Sequence, residues 1–259
     1  MDDALTEKEN RLRALLRGGS WLVAFSGGVD SSLLAAVAGE EGKRVLLATA
    51  DSVFLTDAER GHIRAFASSR NLDHRFVRVD PLADEAVRAN PPDRCYDCKK
   101  LIFGTLLELA ASEKWDAVLD GQNVSDDNDY RPGERAAREL GVRSPLREAG
   151  FGKAEIRALS RRMGLAGWDR PALACLATRI PAGTAIDAGV LARAAKVEAF
   201  FHARGVWDVR ARVEGDGVRL EVLAGDMARV AGEWRGDVLA AVRAAGFRRV
   251  TLDLVPRKQ

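Results

Sequence analysis

Three observations predict an α/β fold, with a parallel sheet covered by helices on both faces and a small α+β unit behind it. Apolar runs of strand length alternate with helical periodicity through the first two-thirds of the chain, a glycine-serine loop stands directly behind the first run, and the pattern changes near residue 182. The expected domains are residues 1–182 and 183–259.

The N-terminal MDDALTEKENRLRALLRGG reads as a charged amphipathic helix without the apolar centre of a signal segment. WLVAF (21–25), RVLLATA (44–50), HRFVRV (74–79) and WDAVLD (115–120) read as strands, with helices from Ser31, from about Asp57, and from about Tyr96 to Ser112. Beyond RIPAGTAID, the stretch IDAGVLARAAKVEAFFHARG (186–205) reads as a helix ended by Gly205. VWDVRARVEGDGVRLEVL (206–223) alternates with period two and turns at EGDG, and a helix in DVLAAVRAAG and a strand in RRVTLDLV complete the second unit.

The chain has 259 residues, 47% of them hydrophobic and 30% charged, with a formal net charge of +2. That is an ordinary soluble composition without the basic excess of a nucleic-acid binder, so no nucleic-acid partner is expected. No apolar run reaches membrane-spanning length, so no membrane partner is expected either, and a cytoplasmic location is. In that reducing compartment a set of three cysteines argues for metal or catalytic use rather than a disulfide framework.

VAFSGGVDSS (23–32) follows the first strand and opens the first helix. Gly27 and Gly28 allow tight curvature, so successive N–H groups can converge on phosphate oxygens, with Ser26 and Ser31 adding hydroxyls and Asp30 able to hold a magnesium ion. The P-loop lysine pattern and the spaced-glycine dinucleotide fingerprint are both absent. A plain glycine turn with a capping serine is the alternative. TADS (49–52) and LDGQNVSDDNDYRPG (119–133) follow later strands, and Gly121, Asn123 and Asp127 can reach a nucleotide or its magnesium, unless they are only turn formers.

Cys95 and Cys98 lie three apart at the start of a helix, and Cys175 stands far downstream. A zinc site needs a fourth ligand, and His62, His74 and His202 fall at unpatterned positions that read as helix-surface or strand residues. A thioredoxin-like pair leaves Cys175 unexplained, whereas an iron–sulfur cluster held by three thiolates uses all three. In the hairpin, Arg210 and Arg212 alternate onto one face, and Arg179 follows the third cysteine; a solvated face of Arg–Glu pairs is the plainer account. Lys99, Lys100 and Lys153 read equally well as helix-surface lysines and are not assigned.

The SGGVDS loop, residues 26–31, resembles the signature of the PP-loop ATP pyrophosphatases, with the adenine nucleotide alpha hydrolase-like fold; these cleave ATP to AMP and pyrophosphate and adenylate a substrate oxygen. That resemblance implies adenosine contacts for Asp51 and Ser52. Residues 144–186, with their PALACLATRIP cysteine loop, together with DGQNVSDDNDYRPG and the arginine hairpin, look like the LarE family of PP-loop sulfur transferases. This second resemblance implies sulfur insertion during synthesis of the nickel-pincer nucleotide cofactor, converting the carboxylates of a pyridinium-3,5-dicarboxylate mononucleotide to thiocarboxylates, with ATP and Mg2+. Cys175 matches the position whose sulfur is sacrificed in single-cysteine members. The added pair Cys95 and Cys98 implies the group with a [4Fe-4S] cluster carrying an extra sulfide. The resemblance also implies substrate-phosphate binding by Arg210, Arg212 and Arg179, and a homo-oligomer. A transfer-RNA thiolation enzyme, an ammonia-using ligase and a nucleotide-binding iron–sulfur sensor are the alternatives.

Overall fold

The computed structural model describes residues 2–128, 132–171 and 174–257, the side chains of residues 2, 127 and 128 excepted. Helix α1 (Asp2–Leu16) leads to β1 (Ser20–Ala24), α2 (Val29–Glu41), β2 (Arg44–Asp51), α3 (Asp57–Ser69) and β3 (Asp73–Arg78). Next come α4 (Glu85–Arg88), α5 (Arg94–Ser112), β4 (Ala117–Leu119), α6 (Pro132–Glu139), α7 (Pro145–Glu148) and α8 (Lys153–Arg162). The remaining elements are α9 (Ala188–His202), β5 (Arg210–Glu214), β6 (Gly217–Glu221), α10 (Ala224–Ala231), α11 (Arg235–Ala244) and β7 (Arg249–Leu252).

Two compact units result. One comprises Met1–Ser52, Glu59–Pro81 and Asp93–Ala172; the other comprises Val53–Ala58, Leu82–Pro92 and Leu173–Gln259. The expected boundary at residue 182 thus falls inside the second unit.

In the first unit the strands are all parallel and ordered β3-β2-β1-β4. The chain runs outward from β1 through β2 to β3, then returns to the other side of β1 as β4. The order therefore reverses between β1 and β4, and at such a point the connections diverge and leave a crevice beyond the strand ends. One face of the sheet buries Leu22, Leu46 and Val118 against Phe103 and Leu106 of α5. Helix α2 is covered by the sheet and by α1, α7 and α8, so every residue from Ser31 to Ala38 is buried. That packing fixes α2 without help from its cap, because Gly28 at the N-cap makes no side-chain capping bond. WDAVLD forms a strand only over Ala117–Leu119; the chain at residue 143 pairs beside it, with the Arg143 N–H donating to the Val118 carbonyl at 3.0 Å and the Asp120 N–H donating to the Arg143 carbonyl at 2.9 Å.

The second unit carries the expected hairpin, β5 antiparallel to β6, and β7 joins β6 in parallel. Ala211, Val213, Val218 and Leu220 are buried on one face, while Arg212, Arg219 and Glu221 lie on the other with Arg210. Helix α10, between hairpin and α11, has no counterpart in the sequence reading.

Asn90 ties the early insert of this unit to its late segment. The residue is fully buried at φ 58°, and its side-chain amide donates to the carbonyls of Ile180 (3.4 Å), Pro181 (2.8 Å) and Thr184 (3.0 Å). The Gly183 N–H donates back to the Asn90 carbonyl at 2.8 Å. Asn90→Ala removes the amide and places a residue averse to left-handed backbone at a positive φ. The expected cost is about 2–4 kcal/mol in denaturant unfolding of the full chain; a loss below about 1 kcal/mol would show that the amide is not what holds the 180–184 segment.

Candidate active site

Beyond β1 the chain turns through Ser26, Gly27 and Gly28 into α2. Gly27 sits at φ 74°, and a Cβ there would meet Ile63 Cγ1 at 2.8 Å, so both backbone and space require glycine. The Ser26 hydroxyl accepts the Gly28 N–H at 3.3 Å and lies 3.1 Å from the Ser31 hydroxyl, which donates to the Gly28 carbonyl at 3.0 Å. With no side-chain cap on α2, its first-turn N–H groups and positive dipole end are left to an anionic ligand.

Asp30 projects from that first turn. Its Oδ2 accepts the Asn123 amide at 3.4 Å and pairs closely with Lys153 Nζ, while Oδ1 is buried with no hydrogen-bond partner among the described residues. Burial pushes the Asp30 carboxyl up and Lys153 opposes the shift. Across the switch point, Gly121 lies so close to α2 that a Cβ would stand 2.9 Å from the Ser31 nitrogen. Asn123 is fully buried, its side-chain amide oxygen accepting the Ser125 N–H at 3.0 Å and its backbone N–H donating to the Asp126 carboxylate at 3.1 Å. Asp51 pairs with Arg60, which also donates to the Ser52 carbonyl at 3.2 Å. The Asp127 side chain lies outside the described residues.

Sequence reasoning missed Lys153 because a lysine leading an amphipathic helix looks solvated. It also left His62 on a helix surface. The ring is half-buried beneath the phosphate loop and hydrogen-bonds the Gly27 backbone, and burial, with Arg170 nearby, pushes its pKa down. His74, in β3, contacts the Thr49 hydroxyl at 3.0 Å and is also lowered by burial.

The three cysteines form no disulfide among the described residues. Cys95 and Cys98 occupy the first turn of α5 in the first unit, Cys95 exposed and Cys98 half-buried, with Arg94 Nη2 donating to Cys95 Sγ at 3.8 Å. Cys175, in the second unit, is exposed at the start of a short 3-10 turn over Leu176–Arg179. Its carbonyl accepts the Thr178 N–H at 3.0 Å and the Thr178 hydroxyl at 2.8 Å. Among the described residues no group of three or more His, Cys, Asp or Glu side chains is placed to hold a metal ion.

Arg179 braces this turn. It is 4% exposed and forks onto Glu198 of α9 through Nε (2.6 Å) and Nη2 (2.9 Å), while Nη1 donates to the Ala174 carbonyl at 3.1 Å. Glu198 also accepts the Ala211 N–H at 2.8 Å, so one carboxylate joins helix, turn and sheet. Arg212 donates to the Thr178 carbonyl at 2.5 Å and to Glu221 at 3.0 Å. Arg210 is buried, and desolvation with the charges of Arg179 and Arg257 pushes its pKa down to about 10. Arg257, which the sequence reading did not single out, donates to Asp208 at 2.8 Å on the same face.

A sequence profile of the asparagine synthase family matches residues 10–100. The chain is 35% identical over 241 residues to the pyridinium-3,5-bisthiocarboxylic acid mononucleotide synthase of Lactiplantibacillus plantarum, covering 90% of this chain and 84% of that one. It belongs to the LarE family of PP-loop, ATP-dependent sulfur transferases. Two uncharacterised relatives match along the same length: one from Synechocystis, 37% identical over 90% of this chain and 88% of its own, and one from Methanocaldococcus jannaschii, 25% identical over 96% and 95%. LarE membership accounts for the phosphate loop and parallel sheet as an ATP-using fold. Among the described residues no helix is long and apolar enough to cross a membrane.

Two outcomes are expected from these environments. Glu198→Ala leaves the Arg179 charge buried without its carboxylate, an expected loss of about 3–5 kcal/mol, whereas Arg179→Met with Glu198→Leu recovers most of it; equal stability of single and double variants would contradict the brace. His62, with a folded pKa below its unfolded value near 6.5, binds fewer protons folded than unfolded. Stability contributed there is therefore lost as pH falls below about 6.5. Chemical denaturation at pH 7.5 and 5.5 should show His62→Gln losing less on acidification than the parent chain, and an identical loss would refute the assignment.

Proposed function

We propose that this chain adenylates a carboxylate of a pyridinium-3,5-dicarboxylate mononucleotide and converts it to a thiocarboxylate, as a step in making a nickel-pincer nucleotide. The observation that carries the reading is the phosphate loop folded at the switch point, with a buried Asp30 oxygen facing no protein donor among the described residues. Kinship to a bisthiocarboxylate mononucleotide synthase supports the substrate.

In this reading Ser26, Gly27, Gly28 and Ser31 bind the ATP phosphates, Asp51 and Ser52 the adenosine, and Gly121 and Asn123 close the nucleotide crevice. The open Oδ1 of Asp30 fits a hard divalent cation, so Asp30 would hold magnesium, which when bound neutralises phosphate charge. The substrate carboxylate oxygen attacks the α-phosphorus, pyrophosphate leaves, and the acyl carbon becomes open to sulfur because AMP is now its leaving group. Arg212, partly exposed beside the cysteine turn, takes the substrate phosphate; Arg210 and Arg179, both buried, hold the sheet face and the turn for it.

Three thiols, two of them spaced i and i+3 in one helical turn, are the soft donor set of a three-thiolate cluster, so Cys95, Cys98 and Cys175 would hold a [4Fe-4S] group. When bound, that group supplies an ionised sulfide at neutral pH. The exposure of Cys175 favours a second reading: its thiolate attacks the acyl carbon, AMP departs, and loss of the Cα proton breaks the Cβ–S bond to leave dehydroalanine and thiocarboxylate.

The test combines pyrophosphate release, thiocarboxylate formation and iron content in protein reconstituted without oxygen. Pyrophosphate release should require the mononucleotide. Cys175→Ala should cut thiocarboxylate by about 10²-fold or more while adenylation persists, since the thiol acts after that step. Pyrophosphate release indifferent to the mononucleotide would sink the proposal. Iron lost in Cys95→Ala supports the cluster, whereas an iron-free chain losing one sulfur's mass per turnover supports sacrifice.

A further inference from the structure

Lys153 stands at the first position of α8, where the helix dipole is positive and a cation is disfavoured. Its backbone is nonetheless tightly fixed. The Lys153 N–H donates to the Ser125 hydroxyl at 3.0 Å, and the preceding Gly152 N–H donates to Glu155 at 2.8 Å. Glu155 in turn takes both of its oxygens to Lys8 of α1, at 2.7 and 2.8 Å. The side chain is different: its polar contact among the described residues is the single carboxylate oxygen Oδ2 of Asp30, and it remains 37% exposed. A rigidly placed base with a four-carbon stem and one anionic partner is built to change partners.

Asp30 has the complementary arrangement. Asn123 supplies one fixed amide to Oδ2, Lys153 supplies a cation to the same oxygen, and Oδ1 is buried without a hydrogen bond among the described residues. A desolvated carboxylate needs a cation, and this one has a movable ammonium where a divalent ion would compete for it.

We propose that Lys153 is an exchangeable counter-ion. In the nucleotide-free chain its ammonium neutralises Asp30 and screens the carboxylate from free divalent cations. When a nucleotide arrives with its metal, the metal takes Asp30 and the ammonium passes to the phosphate oxygens. The metal therefore enters with the nucleotide rather than before it, and Lys153 adds positive charge where pyrophosphate departs. This rests on the ATP and magnesium reading above.

The test is Mn2+ binding to the full chain, followed by the loss of the free-ion paramagnetic resonance signal, with no nucleotide present. The parent chain should bind Mn2+ weakly, and Lys153→Met about tenfold more tightly, a difference of about 1.4 kcal/mol. Lys153→Arg, which keeps the charge, should resemble the parent, and adding Asp30→Asn to Lys153→Met should abolish the gain. Affinity for the magnesium complex of an ATP analogue with a non-cleavable α–β bridge should fall about tenfold in Lys153→Met. Circular dichroism establishes that the variants fold, and Lys153→Gln, which also removes the charge, serves if the methionine does not. Equal Mn2+ affinity in the parent and Lys153→Met overturns the screening, and an unchanged analogue affinity overturns the transfer to phosphate. A parent chain that binds no analogue at all overturns the nucleotide reading itself, whereas the Mn2+ comparison still decides the Asp30–Lys153 exchange.

Discussion

Asp30 carries a carboxylate into the first turn of a helix that is buried from Ser31 to Ala38, and several elements of the first unit converge on that carboxylate. The parallel pairing of β1 with β2 and β4 places the turn at the reversal of strand order. Gly121 brings the β4 loop against the α2 backbone, and Asn123 reaches Oδ2 from that loop. Helix α8 delivers Lys153, and α1 fixes the start of α8 through Lys8 and Glu155. An unpaired carboxylate in this position would be driven to protonate, because desolvation acts only on the charged form. Lys153 acts against that desolvation, and α1, distant from α8 in sequence, helps position it.

The second unit uses charge in the opposite way. Arg179 and Glu198 are both under 5% exposed and meet in a bidentate pair that also satisfies a sheet N–H. Such a pair gives little net stability over an apolar substitute, since desolvation offsets most of the attraction. What it gives is a fixed geometry for the turn that bears Cys175. The turn's carbonyls are bound inward, at Ala174 to Arg179, at Cys175 to Thr178 and at Thr178 to Arg212, and the exposed thiol lies on a braced backbone.

Much of this was legible in the sequence wherever the signal was local. The apolar runs specify β1 and β2, whose central residues are buried in a continuous stretch, whereas β3, at the sheet edge with no fully buried residue, shows only as a short run of mixed polar and apolar residues. The glycines of the phosphate loop announce themselves because only glycine fits φ 74° with Ile63 packed against the turn. Non-local partners were not legible. Lys153 lies 123 residues from Asp30, and nothing in its neighbourhood distinguishes it from Lys99 or Lys100. Arg257 lies in a C-terminal stretch with no periodic pattern, and its pairing with Asp208 appears only when β7 is placed beside β6. Arg179 carried a phosphate-binding expectation from the family resemblance; its pairing with Glu198, 19 residues on, and with a carbonyl of its own turn was not legible. The Asn90 tether helps explain why the chain around Ile180 and Pro181 belongs with the α+β unit rather than with the parallel sheet: its bonds cross 90 residues of sequence to reach Ile180.

Natural sequences are largely consistent from local preference to global fold, and the positions that break local rules collect where function requires them. Two such breaks occur in the first unit. A lysine opens α8 against the helix dipole, and an aspartate is desolvated with one oxygen unmatched among the described residues. Either alone would be a defect costing on the order of a kilocalorie or more. They coincide at one contact, where each relieves part of the other's strain, and neither is fully relieved. The dipole still opposes the lysine, and Oδ1 still lacks a donor among the described residues. A ligand bringing both a divalent cation and several anionic oxygens would satisfy the carboxylate and the ammonium together. Metal-bound polyphosphate, the ligand proposed above, has that composition.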